Sequence, residues 1–228
     1  RGGKPGESRL DLLQENVKIA RQISEQLKGF GGLLIIVSNP VDVLTFYYQK
    51  FTGLPANRVI GTGTMLDTAR LREVIGRKIH IDSKSVHAHV IGEHGDSEVI
   101  LWSKAMISGV ALKNWNGWNG NFEAEIATQV RTAAQEIIKR KGATNHAIGL
   151  VTATLLKWLL RGERRVVNIA SVHDGAYGLA DVALSLPTVI SENGVEEVVH
   201  FELTSAEQDA LKKSSEVLKK AIKSVENA

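Results

Sequence analysis

GGLLIIVSNP, Gly31 to Pro40, places an unbroken aliphatic run, Leu33 to Val37, between a glycine pair and the polar turn Ser38-Asn39-Pro40. A strand with one face in water alternates apolar and polar residues. An uninterrupted apolar run of this length instead fits a strand buried on both faces of a parallel sheet. Upstream, Leu13, Val17, Ala20, Ser24 and Leu27 recur on one helix face, Ser8 and Asp11 resemble a capping arrangement, and Gly29 ends the helix. Downstream, a second helical stretch runs to about Phe51. Helix, buried strand, polar turn and helix is the rhythm of a doubly wound sheet, whose ligands lie at the carboxyl ends of strands. Asn39 falls at such an end. Buried there, it offers a donor and an acceptor to a polar ligand; it equally suits a cap for the helix after Pro40, and the spacing leaves both open.

The next apolar run, Val59 to Gly63, ends in the turn Gly61-Thr62-Gly63, followed by the helical pattern MLDTARLREVIG. Asp67 and Arg70 are three apart and share a helix face. Arg70 presents a planar fork suited to a carboxylate, and Asp67 suits the task of orienting a histidine. A plain surface ion pair between the two is the alternative. The histidine is supplied by HAHVIGEHGDS, His87 to Ser97, where Val90 and Ile91 deliver His94 between Gly92 and Gly95. Imidazole gives and takes protons near neutrality, and flanking glycines leave it open to a bound molecule. A surface turn with a solvated histidine has the same spacing.

The rest of the chain reads as α+β. Val99 to Trp102 is strand-like or opens a short helix, and WNGWNG, Trp115 to Gly120, reads as a surface connection. Phe122, Ile126, Val130, Ala133 and Ile137 line a long helix ending near Gly142; a second begins at about Thr144, with Ile148, Val151, Leu155, Leu156 and Leu159. Val166–Ala170, Val182–Ser185 and Val198–Leu203 read as an antiparallel meander. Thr204 with Glu207 forms a capping box for a terminal helix whose apolar face is Leu211, Ser214, Leu218, Ala221 and Val225. The fold class is therefore α/β: part of a doubly wound, Rossmann-type parallel sheet in residues 1–61, followed by an α+β catalytic domain in residues 62–228.

Composition narrows the function. Hydrophobic residues at 43% and charged ones at 23% are ordinary for a globular protein, and no apolar run reaches membrane-spanning length. A net charge of +3, with basic and acidic residues interspersed, gives no segregated face for nucleic acid or an anionic membrane. With zero cysteines there is neither a disulfide nor a thiolate nucleophile, as fits a cytoplasmic protein. No metal site is expected.

Taken together, KPGESRLDLL, VSNPVDVLT, VIGTGTMLDTARLR, SVHAHVIGEHGDSEV, KGATNHAIG and DVALSLPTVISENGVEEVV resemble the lactate/malate dehydrogenase family, in the family's order along essentially the whole chain. They are most similar to its bacterial L-lactate branch, since GEHGDS stands where malate enzymes more often show GGHGD. The resemblance implies NAD as cofactor, a small 2-keto or 2-hydroxy acid as substrate, most simply pyruvate/L-lactate, and a homotetramer. It implies His94 as proton donor and acceptor, Asp67 as the carboxylate that favours its protonated form, and Arg70 as the bidentate holder of the substrate carboxylate. Arg9 matches the mobile-loop arginine that polarises the reacting carbonyl, Asn39 the asparagine near substrate oxygen and nicotinamide, and Thr144 the side-chain pocket. Val37 and Thr62 join Asn39 as expected cofactor contacts. Arg72 and His87 match positions that bind a sugar bisphosphate activator in bacterial relatives; a structural ion pair or interface packing is the alternative.

Two departures qualify the resemblance. Gly3 stands where lactate enzymes carry Gln and malate enzymes Arg, which weakens malate and opens the pocket to branched 2-hydroxy acids. The family's glycine-rich phosphate turn, GxGxxG, does not occur in the 228 residues. Relative to the family, roughly 90 residues of the cofactor sheet are expected ahead of Arg1. Without them the chain reads as the larger part of a subunit with an aggregation-prone sheet edge, or as a non-catalytic dehydrogenase-like shell.

Overall fold

The computed structural model describes residues 9–141 and 145–226. Helix α1 (Arg9–Gln26) leads to strand β1 (Leu34–Ile36), α2 (Val41–Thr52), β2 (Val59–Gly61) and α3 (Met65–Lys78). Short strands follow: β3 (Val86–His87), β4 (Val90–Ile91), β5 (Val99–Ile100), β6 (Met106–Ile107) and β7 (Val110–Ala111). The chain then forms α4 (Phe122–Lys141), α5 (Asn145–Leu160), β8 (Arg165–Asp174), β9 (Ala180–Ser191), β10 (Gly194–Val198) and α6 (Ser205–Glu226).

β1 and β2 pair in parallel, with Ile35 opposite Ile60. Their apolar runs are explained by burial on two sides: Val59 and Ile36 belong to a core with α1, α2 and α6, whereas Ile60 belongs to a second core with Leu155 and Leu159 of α5. Helices therefore cover both faces, as in a doubly wound sheet. β8, β9 and β10 continue the same sheet antiparallel, in the order β1-β2-β8-β9-β10, joined where Gly61 lies opposite Ala170. The meander expected in the second half is thus welded onto the first. A third core, built on Leu71, Ile75, Val90, Ile107 and Ile126, fixes α3 against α4 and the small strands.

Three sequence readings change. The strand expected at Val198–Leu203 is instead Gly194–Val198, because the Tyr177 hydroxyl takes the Phe201 N–H at 2.6 Å and satisfies backbone that would otherwise need a ladder partner. In α5, Leu155 and Leu159 are buried but Leu156 is exposed, since only the i, i+4 pair faces the sheet. The WNGWNG connection is more than surface: Trp115 and Trp118 pack on the third core, with Trp118 edge-on to Phe122 at 5.7 Å and the Lys78 ammonium 4.3 Å from the Phe122 ring centroid. The Ser8–Asp11 cap lies outside the described residues.

Candidate active site

The site begins at the turn from β2 into α3. Gly63 has φ of +48°, and a Cβ there would come within 2.7 Å of the Ala170 backbone nitrogen and closer still to the Ser185 hydroxyl. The close approach lets Thr64 bond twice: its N–H donates to Ser185 Oγ at 2.9 Å and its hydroxyl to the Val90 carbonyl at 2.5 Å. The start of α3 is thereby fixed to β9 and β4. Asp67 lies in the first turn of α3, 3% exposed, and Arg70 one turn on.

β4 and β5 form the hairpin whose loop carries His94. The loop leaves β4 through Gly92, φ +83°, which pairs with Ser185 of β9. His94 donates its backbone N–H to Asp42 Oδ2 at 2.7 Å, and its ring Nδ1 meets Asp67 Oδ2 at 2.5 Å. The other Asp67 oxygen takes Arg70 Nη1 at 3.2 Å. One buried carboxylate therefore orients both the imidazole and the guanidinium. The Asp67–Arg70 ion pair and the Asp67–His94 bond, alternatives in the sequence, are both present, and the ion pair is buried rather than on the helix surface.

Burial pulls the His94 pKa down, but the bond to Asp67 and the charges of Asp67, Asp42 and Glu98 outweigh it and push the value up to about 9. His94 thus carries its proton at neutral pH, with Nδ1 engaged and Nε2 as the nitrogen left for chemistry. Burial raises the Asp42 carboxyl to about 7, and burial with the neighbouring Asp67 charge raises Glu98 to about 8. Among the described residues, Asp42 Oδ1 and Glu98 Oε1 are buried without a hydrogen-bond partner.

Asn39, expected to be buried, is exposed, together with Val37 and Ser38. β1 ends too soon for the sheet to cover them. Asn39 Oδ1 accepts from Val41 N–H at 3.3 Å across Pro40, the N-cap of α2, while its carbonyl takes Asn16 Nδ2 at 3.1 Å. Thr62 is buried and donates its N–H to the Ile36 carbonyl, linking the ends of the parallel pair. Exposed apolar Val37 and the Asn39 amide at those carboxyl ends fit a planar, amide-bearing ring. Arg72 is half-buried, and its Nε donates to the Ala88 carbonyl at 3.1 Å, beside exposed His87. Arg9 opens α1, but its side chain lies outside what is described, and Gly3 and Thr144 lie outside altogether.

Sequence reasoning missed Asp42, Glu98 and Ser214. Asp42 and Ser214 carried a signal, a polar side chain interrupting an apolar stretch, in PVDVL and the Leu211–Leu218 face of α6; Glu98 adjoins the polar Asp96-Ser97 pair and carried none.

Residues 64–228 match the lactate/malate dehydrogenase alpha/beta C-terminal domain, and residues 2–61 match the NAD binding domain of lactate/malate dehydrogenase. The chain belongs to the lactate/malate dehydrogenase family. Within this dehydrogenase family it is 44% identical to L-lactate dehydrogenase of Synechococcus sp. (strain JA-3-3Ab) over 97% of this chain and 74% of the relative. It is 41% identical to L-lactate dehydrogenase of Lacticaseibacillus casei over 96% of this chain and 69% of the relative. Among solved structures, minor L-lactate dehydrogenase from Enterococcus mundtii in the ligands-bound form superposes with TM-score 0.95 at 38% identity, covering 99% of this chain and 74% of that one. A lactate dehydrogenase from a Medee basin deep-sea metagenome library superposes equally well, at 37% identity and the same coverage.

Proposed function

We propose that the chain interconverts pyruvate and L-lactate as an NAD-dependent L-lactate dehydrogenase. The observation that carries this reading is His94 held protonated by buried Asp67 beside Arg70. When bound, the nicotinamide exchanges a hydride with the substrate carbon. Hydride addition leaves charge on the carbonyl oxygen, and His94 Nε2–H neutralises it; in the reverse direction Nε2 accepts the hydroxyl proton. Arg70 takes the substrate carboxylate through its fork, which fixes the carbonyl relative to His94. Arg9 polarises that carbonyl and Thr144 lines the side-chain pocket, roles resting on their motifs. Val37, Asn39 and Thr62 would hold the nicotinamide end. The same reading divides the chain at Gly61/Thr62, assigns Arg72 and His87 to an activating anion, and makes the protein a cytoplasmic homotetramer of glycolytic pyruvate fermentation.

The test is NADH oxidation at equal protein with pyruvate, oxaloacetate and 2-ketoisocaproate. Preference for pyruvate supports the reading. Preference for the branched acid would make Gly3 a pocket-widening change, and preference for oxaloacetate would move the chain to the malate branch. No turnover, together with no NADH-induced protection of backbone amides near Asn39, would leave a non-catalytic shell.

A further inference from the structure

The loop carrying His94 is held from two sides by different elements. On one side, Asp42 of α2 takes the His94 N–H. On the other, the terminal helix α6 presents Ser214, which is fully buried although it lies on an apolar helix face. Glu93 N–H donates to Ser214 Oγ at 2.8 Å. Ser214 Oγ lies 3.1 Å from Ser97 Oγ, and Ser97 donates both its hydroxyl and its N–H to Glu93 Oε2. The Ser97 hydroxyl has one hydrogen, committed to the carboxylate, so Ser214 must donate to Ser97. The bonds therefore close a ring: Glu93 N–H to Ser214, Ser214 to Ser97, Ser97 to the Glu93 carboxylate. Each bond in such a cycle polarises the next. Gly92 completes the packing, since a Cβ there would stand 2.7 Å from Ser214 Oγ.

We infer that Ser214 is a positioning residue for His94: through this ring the terminal helix sets the backbone of Glu93 and so the reach of the His94 imidazole to Asp67. The inference rests on the proton-donor reading of His94. The charged groups that bear on the imidazole are Asp67 of α3, Asp42 of α2 and Glu98 of its own loop; behind them Arg70 pairs with Asp67, Arg131 of α4 and Arg70 act on Glu98, and Glu93 acts on Asp42. Ser214 carries no charge, so its removal alters His94 only by relaxing geometry.

The experiment is an NMR titration of the His94 ring in the full 228-residue chain, in wild type, Ser214→Ala, Ser97→Ala and the double variant, with thermal unfolding to confirm that each is folded. Wild-type His94 should titrate near 9, and Ser214→Ala should lower that value by about one unit as the Asp67 bond lengthens. Ser97→Ala should do the same, and the double variant should add nothing further, because either change opens the ring. Unshifted titration in both folded single variants, with wild type still near 9, overturns the positioning role alone. Additive shifts overturn the ring. Wild-type titration near the ordinary 6.5 overturns the underlying reading of the Asp67–His94 pair.

Discussion

At the residue scale the site is an exercise in sharing one carboxylate. Asp67 bonds His94 through one oxygen and Arg70 through the other, so its charge both favours imidazolium and aims a guanidinium. Asp67→Asn keeps the shape and removes the charge. His94 should then titrate well below 9, and pyruvate reduction should fall on the order of a hundredfold or more at pH 7, as expected for losing a matched general acid; a pH–rate profile reads both. Arg70→Lys keeps the charge and loses the fork, so KM for pyruvate should rise roughly ten- to a hundredfold, the worth of a charge-assisted bond, with a smaller change in kcat. Glu98 makes a prediction about stability. Its pKa is raised from 4.5 to about 8 on folding, so between these values the folded chain binds more protons than the unfolded one. Stability must therefore fall as pH rises through that window. Urea unfolding at pH 5 and pH 8 should show a smaller pH dependence in Glu98→Gln than in wild type.

At the element scale, the capping box read from Thr204 and Glu207 forms as expected. Thr204 N–H donates to Glu207 Oε2 at 2.9 Å, and Glu207 N–H returns to Thr204 Oγ1. The same carboxylate also takes the Ser103 N–H and hydroxyl, which ties α6 to the turn after β5. Burial raises the Glu207 pKa, but the donors from Thr204 and Ser103 outweigh it and hold the value low. Glu207→Ala should cost about 1–3 kcal/mol in urea unfolding, more than loss of a cap alone, because two elements lose a shared anchor. The helix was legible because caps and periodicity are local. Its second task was not, since Ser103 lies far away in sequence and nothing in the spacing brings it there.

At the scale of the whole molecule, a five-stranded sheet, two small sheets and three cores place the site. Leu71 is fully buried on the core face of α3, the helix that carries Asp67 and Arg70, so Leu71→Ala should cost about 2–5 kcal/mol of stability by calorimetry or urea. β1 lies at the end of the sheet, and apolar Val37, Leu156 and Leu160 are exposed around it. An apolar sheet edge favours association, so the weight-average mass from light scattering should rise with concentration, and Leu160→Lys should reduce that rise. The sequence by itself determined the parallel opening, the six helices and the motifs bearing Asp67, Arg70 and His94, because turn chemistry, periodicity and caps act over a few residues. Only the tertiary structure decided that the later strands extend the first sheet, that Asn39 is exposed, and that Asp42, Glu98 and Ser214 close around His94. Those outcomes depend on burial and on bonds between elements distant along the chain, whose geometry is fixed only when the three cores pack together.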